Sequence, residues 1–330
     1  MQPKDGIMNK FDIPKDLKKI LEERESFILI GHKNPDGDCL SSQLALGSFL
    51  KRQGKRICLL SPGPFDRSEI EHQEKHFQAH IPQSWKNINP LVVVLDCSTI
   101  DRIGYLADEI TGMDIAVIDH HDSGMSFGDI QFIEPEAPSV TFLIHKIIES
   151  FHMEPNSYEA ELILFGIATD TGFFRHLESG SQELFHSVAK LTKCGASPKD
   201  TYAQMYGGRT LKSKQLAGRL LSRMTSQLEG KLILTFETKE DLFEFGIENR
   251  DSDLFYQQVQ GIKDVEVIIL IRFESISEIS VGLRSRLFAD VGAVAKTFGG
   301  GGHKKAAGFT WNGSTDEITE KLIKIFSKIL

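Results

Sequence analysis

Three short apolar runs, each ending in residues able to bind a metal, constrain this sequence most. Phe27-Ile28-Leu29-Ile30 runs into Gly31-His32-Lys33-Asn34-Pro35-Asp36-Gly37-Asp38, Leu91-Val92-Val93-Val94-Leu95 ends on Asp96, and Ile115-Ala116-Val117-Ile118 ends on Asp119-His120-His121. Runs of this length, rich in aliphatic and β-branched residues, read as buried strands. Pro35 is expected to hold Asn34 extended, and Gly37 lets the chain bend between two aspartates, so the first turn is not helical at its centre. Leu40, Leu44, Leu46 and Leu50 then recur with a helical period until Gly54. Strands alternating with helices predict a parallel sheet, whose strands deliver their carboxyl ends to one edge. That edge is where open α/β sheets hold ligands. One such turn is an ordinary loop; three on one edge predict a site.

At 330 residues the chain exceeds the usual single core, so two domains are expected. No apolar run reaches the roughly 20 residues of a membrane span, and residues 1–10 lack the apolar core of a signal peptide, so a cytoplasmic protein without membrane contact is expected. The four cysteines form no C-x-x-C pair, which argues against a zinc ribbon or a disulfide framework. A net charge of −8 argues against a grip on long duplex nucleic acid, yet allows a small anion held by local positive charge and metal.

Periodicity predicts helices over 11–26, after the Ser139 cap, from Asn156 into Thr169-Asp170-Thr171-Gly172, and over 181–194. Residues 130–133 read as a short edge strand. Residues 61–90 carry four prolines and place His72, His76 and His80 on one helix face, which reads as solvated. Gly195 to Gly208 is the expected domain break. The predicted organisation is a catalytic domain over 1–194, a linker and bridging helix over 195–228, and a smaller domain over 229–330. The predicted fold class is α/β: a parallel-sheet N-terminal domain with helices on both faces, a smaller α+β C-terminal domain, and an active site in the interdomain cleft.

His32, Asp36, Asp38, Asp96, His120 and Asp170 form an imidazole–carboxylate set without thiolates, with Asp119 and His121 nearby. Such a set suits Mn²⁺, Mg²⁺ or Fe²⁺. Four aspartates around one point call for two divalent cations, and a bridging carboxylate would hold them about 3.5–4 Å apart. Water activated there attacks phosphate esters, so phosphoester hydrolysis is the expected reaction. Residues 284–305 support this with five basic side chains against one acidic, and Gly299-Gly300-Gly301-Gly302-His303 offers bare backbone amides to an anion. Cys39 and Cys97 directly follow Asp38 and Asp96, which reads as packing beneath the loops.

Gly-His-x-x-Pro-Asp-Gly-Asp, Asp96, Asp119-His120-His121 and Thr169-Asp170-Thr171-Gly172 resemble, in order, the four motifs of the DHH phosphoesterase superfamily. Gly-Gly-Gly-Gly-His-x-x-Ala-Ala-Gly-Phe at 299–309 resembles the signature of its DHH-associated C-terminal domain. Size and layout most resemble the bacterial nanoRNase/pAp phosphatase group. That resemblance implies hydrolysis of very short oligoribonucleotides (nanoRNA) to mononucleotides and removal of the 3′-phosphate of adenosine 3′,5′-bisphosphate (pAp). It implies two divalent ions, Mn²⁺ first and Mg²⁺ second. His32, Asp36 and Asp96 would hold one, and Asp38, Asp96, His120 and Asp170 the other, with Asp96 shared. Asp96, Asp119 and His121 would serve catalysis, His121 beside the reacting phosphoryl group. Arg284, Ser285, Gly300, Gly301, Gly302 and His303 would bind substrate. A homodimer is compatible with the resemblance. The alternatives are a phosphodiesterase for cyclic or linear dinucleotides, a single-strand exonuclease, and a nucleotide-binding regulator without catalysis. The complete ligand set disfavours the last.

Overall fold

The computed structural model describes residues 11–85, 88–121, 127–177 and 179–330. The stretch 1–10, expected to lack a signal peptide, lies outside the described residues. Contacts divide the chain after Gly208 into two units.

In the first unit the elements are α1 (Lys15–Glu23), β1 (Ser26–Ile30), α2 (Gly37–Arg52), β2 (Arg56–Leu60), β3 (Leu91–Leu95), α3 (Leu106–Glu109), β4 (Ile115–Asp119), β5 (Ile130–Ile133), α4 (Val140–Ser150), α5 (Ser157–Asp170), α6 (Gln182–Lys193) and α7 (Pro198–Tyr206). The strands form one parallel sheet in the order β2-β1-β3-β4-β5. Alternation along each strand splits the apolar residues between two cores. Phe27, Leu29, Val93 and Ile118 face α2, α4 and α5, while Ile28, Ile30, Val92, Val94 and Val117 face Ile103, Leu106 and Ile110.

The longest helices, α2 and α5, pack against each other. At one end the buried carboxylate of Glu159 accepts from Arg52 Nη2 at 2.7 Å, Arg52 Nε at 2.9 Å and Ser48 Oγ at 2.8 Å. Asn156 and Glu159 also close a capping box at the start of α5. The far ends of the same two helices carry Asp38 and Asp170. This charge-assisted clamp fixes the register in which those two carboxylates meet.

Two expectations are corrected. Glu71–His76 is a 3-10 turn rather than an α-helix. His72 and His76 are exposed in it, and His80 lies beyond it beside Glu109. The helix expected over 11–26 begins at Lys15, after Pro14.

The second unit comprises α8 (Leu211–Ser222), β6 (Thr225–Gln227), β7 (Leu232–Glu237), α9 (Lys239–Phe245), α10 (Ser252–Val259), β8 (Val267–Phe273), β9 (Ile279–Ser285), α11 (Val291–Lys296), β10 (Gly301–His303), β11 (Ala306–Trp311) and α12 (Thr315–Phe326). Its sheet runs β10-β11-β9-β8-β7-β6 and is antiparallel except for β7 with β8. That pair is parallel because α9 and α10 cross over between its strands. The division after Gly208 falls at the end of the stretch expected to hold the break, and α7 fills the rest of that stretch. It packs on α5 in the first unit.

Candidate functional site

The parallel strands bring His32, Asp96, Asp119 and His120 to one edge, where α2 adds Asp36 and Asp38 and α5 adds Asp170. Asp96 is central. Its Oδ2 lies 3.4 Å from His32 Nε2 and its Oδ1 lies 3.7 Å from His120 Nε2. Asp36 Oδ2 is 3.7 Å from the same His32 nitrogen, and Asp170 Oδ2 is 3.1 Å from His120 Nε2. Both imidazoles are anchored by their other nitrogen, His32 Nδ1 on the Lys33 carbonyl at 2.9 Å and His120 Nδ1 on the Ala137 carbonyl at 3.1 Å. With those carbonyls accepting from Nδ1–H, each ring turns an Nε2 lone pair inward, the tautomer a metal ligand needs.

Asp96 has φ 60°, a left-handed conformation that an aspartate tolerates at some cost. Its N–H donates to the Ile118 carbonyl at 3.1 Å, so the ladder with β4 holds the turn. Asn34 also has a positive φ, 53°, rather than the extended conformation expected before Pro35. Its N–H donates to the Gly63 carbonyl at 2.9 Å, and this tertiary bond overrides the local preference.

Asp38 is fully buried at the start of α4. Its oxygens accept from Val140 N at 2.6 Å, Thr141 N at 2.9 Å and Thr141 Oγ1 at 2.6 Å. Burial, Asp170 and Asp96 push its pKa well up, against the pull of His120 and Thr141. Asp170 is raised by burial and Asp96. Asp36 is shifted down, because the hydrogen bond and charge of His32, the Cys39 amide and the charge of Arg67 outweigh its burial. Burial opposes charge on His120, yet Asp170, Asp38 and Asp96 raise it to about 10. His32 is raised far above its ordinary value as Cys39, Asp36 and Asp96 override burial. The carboxylates thus draw positive charge into this space.

These residues fit divalent cations. Asp96 Oδ1 is buried with no hydrogen-bond partner, an arrangement that costs free energy unless a cation answers it. Three sets of potential donor atoms, Asp38–His120–Asp170, Asp96–His120–His121 and His32–Cys39–Asp96, each lie within 4.8 Å of one another. Cys39 reads from the sequence as a packing residue. It is fully buried, which pushes its thiol up to about 11, and its sulfur reaches the His32 side of the cluster. Arg67, from the Pro-rich segment, was also missed. No local pattern marks an exposed arginine whose charge reaches Asp36 from a distant loop.

Asp119 has another part. Its Oδ1 accepts from His120 N at 2.8 Å, His121 N at 3.3 Å and His121 Nδ1 at 2.8 Å. The carboxylate therefore shapes the turn and orients His121, whose pKa it raises.

In the second unit the glycine-rich stretch is a strand, and register explains its composition. His303 pairs with Ala306, which pairs with Arg284; one row along, Gly301 pairs with Gly308, which pairs with Gly282. Directly opposed residues share a face, so His303 and Arg284 flank Ala306 about 10 Å apart, beside a row of three glycines. Gly301 leaves its backbone bare there, with Gly308 beside it, whereas Gly282 lies under the Tyr256 hydroxyl, which a Cβ would strike. The opposite face of the sheet carries Val281, Leu283, Ala307 and Phe309 in a core. Arg284 lies over the Tyr256 ring at 4.4 Å, which fixes its guanidinium. Gly300 and Gly302 are needed for close packing instead, since a Cβ would meet the Gly308 carbonyl at 2.3 Å and the Ala306 carbonyl at 2.5 Å respectively. Ser285 is buried and donates to Glu266 at 2.9 Å; Glu266 also accepts from the amides of Leu287, Phe288 and Ala289. Its hydroxyl is thus engaged in holding that loop.

Known proteins resemble most of the chain. Residues 26–167 match the model of the DHH family, N-terminal domain, and residues 229–329 match the DHHA1 domain. The bifunctional oligoribonuclease and PAP phosphatase NrnA of Thermus thermophilus is 27% identical over 93% of this chain and 91% of its own length. The cyclic-di-AMP phosphodiesterase GdpP of Bacillus subtilis is 24% identical over 93% of this chain and 48% of its own length. The crystal structure of an exopolyphosphatase-related protein from Bacteroides fragilis superposes with a TM-score of 0.84 at 24% identity, covering 95% of this chain and 96% of that one. The chain belongs to the DHH family of phosphoesterases, with a DHH N-terminal domain followed by a DHHA1 domain.

Proposed function

We propose that this chain hydrolyses short oligoribonucleotides to mononucleotides and removes the 3′-phosphate of pAp in a cytoplasmic setting. Divalent cations, Mn²⁺ foremost and Mg²⁺ second, would be held by His32, Asp36, Asp38, Asp96, His120 and Asp170. The observation that carries this reading is Asp96, buried, with Oδ2 toward His32, Oδ1 toward His120 and His121, and no hydrogen bond to Oδ1. Cations bound there would polarise the phosphoryl group and supply a nucleophilic water at neutral pH. Asp119 holds His121 by Nδ1, so His121 Nε2 is the atom that hands a proton to the leaving oxygen. His303 and Arg284 grip a substrate phosphate through charge-assisted hydrogen bonds, and the glycine row admits it close to the backbone. The NrnA relative supports this substrate class.

The GdpP relative favours a second reading, hydrolysis of cyclic dinucleotides. With Mn²⁺, kcat/KM on pAp and on RNA of about two to five nucleotides should exceed that on cyclic di-AMP and pyrophosphate by roughly tenfold or more, equivalent to about 1.4 kcal/mol. The reverse order would put the second reading first.

A further inference from the structure

Five aromatic rings run outward from the turn that follows Asp170. Phe185 on α6 meets Phe174 at 5.7 Å, Phe174 meets Phe173 at 5.2 Å, Phe173 meets Tyr202 on α7 at 5.2 Å, and Tyr202 meets Tyr206 at 4.7 Å. The interplanar angles are 41° to 86°, so no pair is stacked face to face. Phe185 and Tyr202 are 51% and 53% exposed. We propose that this ladder is a base-stacking platform that binds the nucleobases of an oligonucleotide substrate beyond its reacting phosphate. The inference rests on the oligoribonucleotide reading above and adds the residues that would favour a short strand over a single nucleotide.

The backbone supports the assignment. Gly172, Phe173 and Phe174 have φ of 57°, 55° and 69°, a left-handed run that two bulky aromatic residues rarely adopt. The turn is held in it. Phe173 N donates to the Ala168 carbonyl at 2.7 Å, Phe174 N to Thr171 Oγ1 at 3.1 Å, and His176 N to the Thr171 carbonyl at 3.1 Å. Sparsely populated backbone kept in place by surrounding bonds is typical of functional sites.

Position gives the ladder its occupant. It begins three residues after Asp170. α7 lies beside the cluster-bearing elements: Met205 packs against the group of Leu40, Ile70 and Phe165, and Gln204 donates to the Glu69 carbonyl at 3.2 Å. Leu40 follows Asp38 by two residues, and Glu69 lies in the loop that carries Arg67. Arg175, exposed next to Phe174, adds a cation of the kind a phosphate backbone needs between stacked bases. The exposed large apolar residues of the first unit are almost all aromatic, with Ile133 the one aliphatic among the described residues. Aromatic faces beside arginines suit nucleobases better than an aliphatic protein partner. The ladder also lies between the two stretches matched by the family models, so it is a feature of this chain rather than of those models.

The test uses full-length protein in EDTA and a five-nucleotide RNA carrying 2-aminopurine. Wild type should quench the fluorescence on binding. Tyr202→Ala should weaken binding roughly 5- to 150-fold, the range measured for losing one base–aromatic stack, whereas Tyr202→Phe should bind like wild type. With Mn²⁺, the ratio of kcat/KM on the five-mer to that on pAp should fall about tenfold in Tyr202→Ala and in Phe185→Ala, through KM. An unchanged ratio, equal damage from Tyr202→Phe, or no quenching by wild type would overturn the ladder. A Tyr202→Ala variant that loses a dimer by light scattering, with both substrates falling together, would overturn it in favour of a second copy of the chain. Quenching that is lost in Tyr202→Ala, in a wild type that hydrolyses no RNA, would keep the ladder and sink the oligoribonuclease reading. RNA hydrolysis with an unchanged ratio would do the opposite.

Discussion

The strand-end cluster of the first unit gathers four carboxylates and two imidazoles into a buried space, whereas the sheet-face groove of the second is made by leaving side chains out. In the cluster Asp38 alone accepts three hydrogen bonds, while Asp96 Oδ1 is buried without one. In the groove Gly301 and Gly308 contribute only backbone, beside the row of His303, Ala306 and Arg284. The difference predicts different tolerances. A site built from buried charge fails when one atom changes, because the remaining charges lose their balance. A site built from space fails only when something fills it.

The most severe test of the cluster is Asp96→Asn. The change keeps the shape of the side chain and removes the charge shared between His32 and His120. Turnover should fall by roughly 10²–10³-fold or more, at least the scale of removing one electrostatic contact in a buried site. Circular dichroism should show the fold unchanged, and calorimetry should show weakened Mn²⁺ binding. Retention of more than a few per cent of wild-type kcat at saturating Mn²⁺ would break the contrast.

A buried histidine outside the cluster sharpens it. His145 on α4 is fully buried, and neither ring nitrogen has a hydrogen-bond partner. Glu149 lies 3.9 Å away, Lys146 and Lys190 add positive charge, and Ser187 Oγ and Glu183 Oε2 of α6, the latter 3.7 Å from Lys146 Nζ, are also buried without a hydrogen bond. Burial takes its pKa from 6.5 down to about 4, against the weaker pull of Glu149. The unfolded chain therefore binds a proton that the folded chain refuses. This contribution to stability is complete above pH 6.5 and is lost as pH falls toward 4, up to about 3 kcal/mol. Melting curves of wild type and His145→Leu from pH 7 to pH 4 isolate this effect. The variant should gain on wild type as pH falls, and parallel curves would show that His145 is not held neutral.

The two regions also differed in how far the sequence disclosed them. Carboxylates at the ends of apolar runs could be recognised because strand ends are local and parallel sheets align them. Asp36, Asp38, Asp96, His120 and Asp170 were all visible in this way. Asp119 was visible as a residue but not as the orienter of His121, since that depends on which atom of the turn its Oδ1 meets. The groove was visible only as a glycine run. That Gly282 and Gly308 belong with Gly301, and that Gly300 and Gly302 serve packing, depends on strand register, which joins residues about twenty positions apart. The aromatic ladder was hidden for the same reason. Phe173, Phe185 and Tyr202 share no sequence period, and α7 stood where glycines and Pro198 suggested a break.

The groove has its own test, smaller in effect. A Cβ built on Gly301 meets nothing within 4 Å, and its φ is not in the left-handed region. Alanine should therefore leave the unit intact, and in a strand it should, if anything, stabilise the backbone. Any loss of activity then reports the ligand rather than the fold. Gly301→Ala should lower kcat/KM on pAp by roughly tenfold, or about 1.4 kcal/mol, with Tm unchanged. Hydrolysis of bis-p-nitrophenyl phosphate, which has little to place in the groove, should fall much less. Gly302→Ala is the counterpart, because its φ of 136° and the Ala306 carbonyl 2.5 Å from the added carbon make it a lesion of the fold. It should lower Tm and harm both substrates together. If Gly301→Ala behaved like Gly302→Ala, or left pAp hydrolysis untouched, the bare row would be a packing feature of three strands and not the floor of a phosphate site.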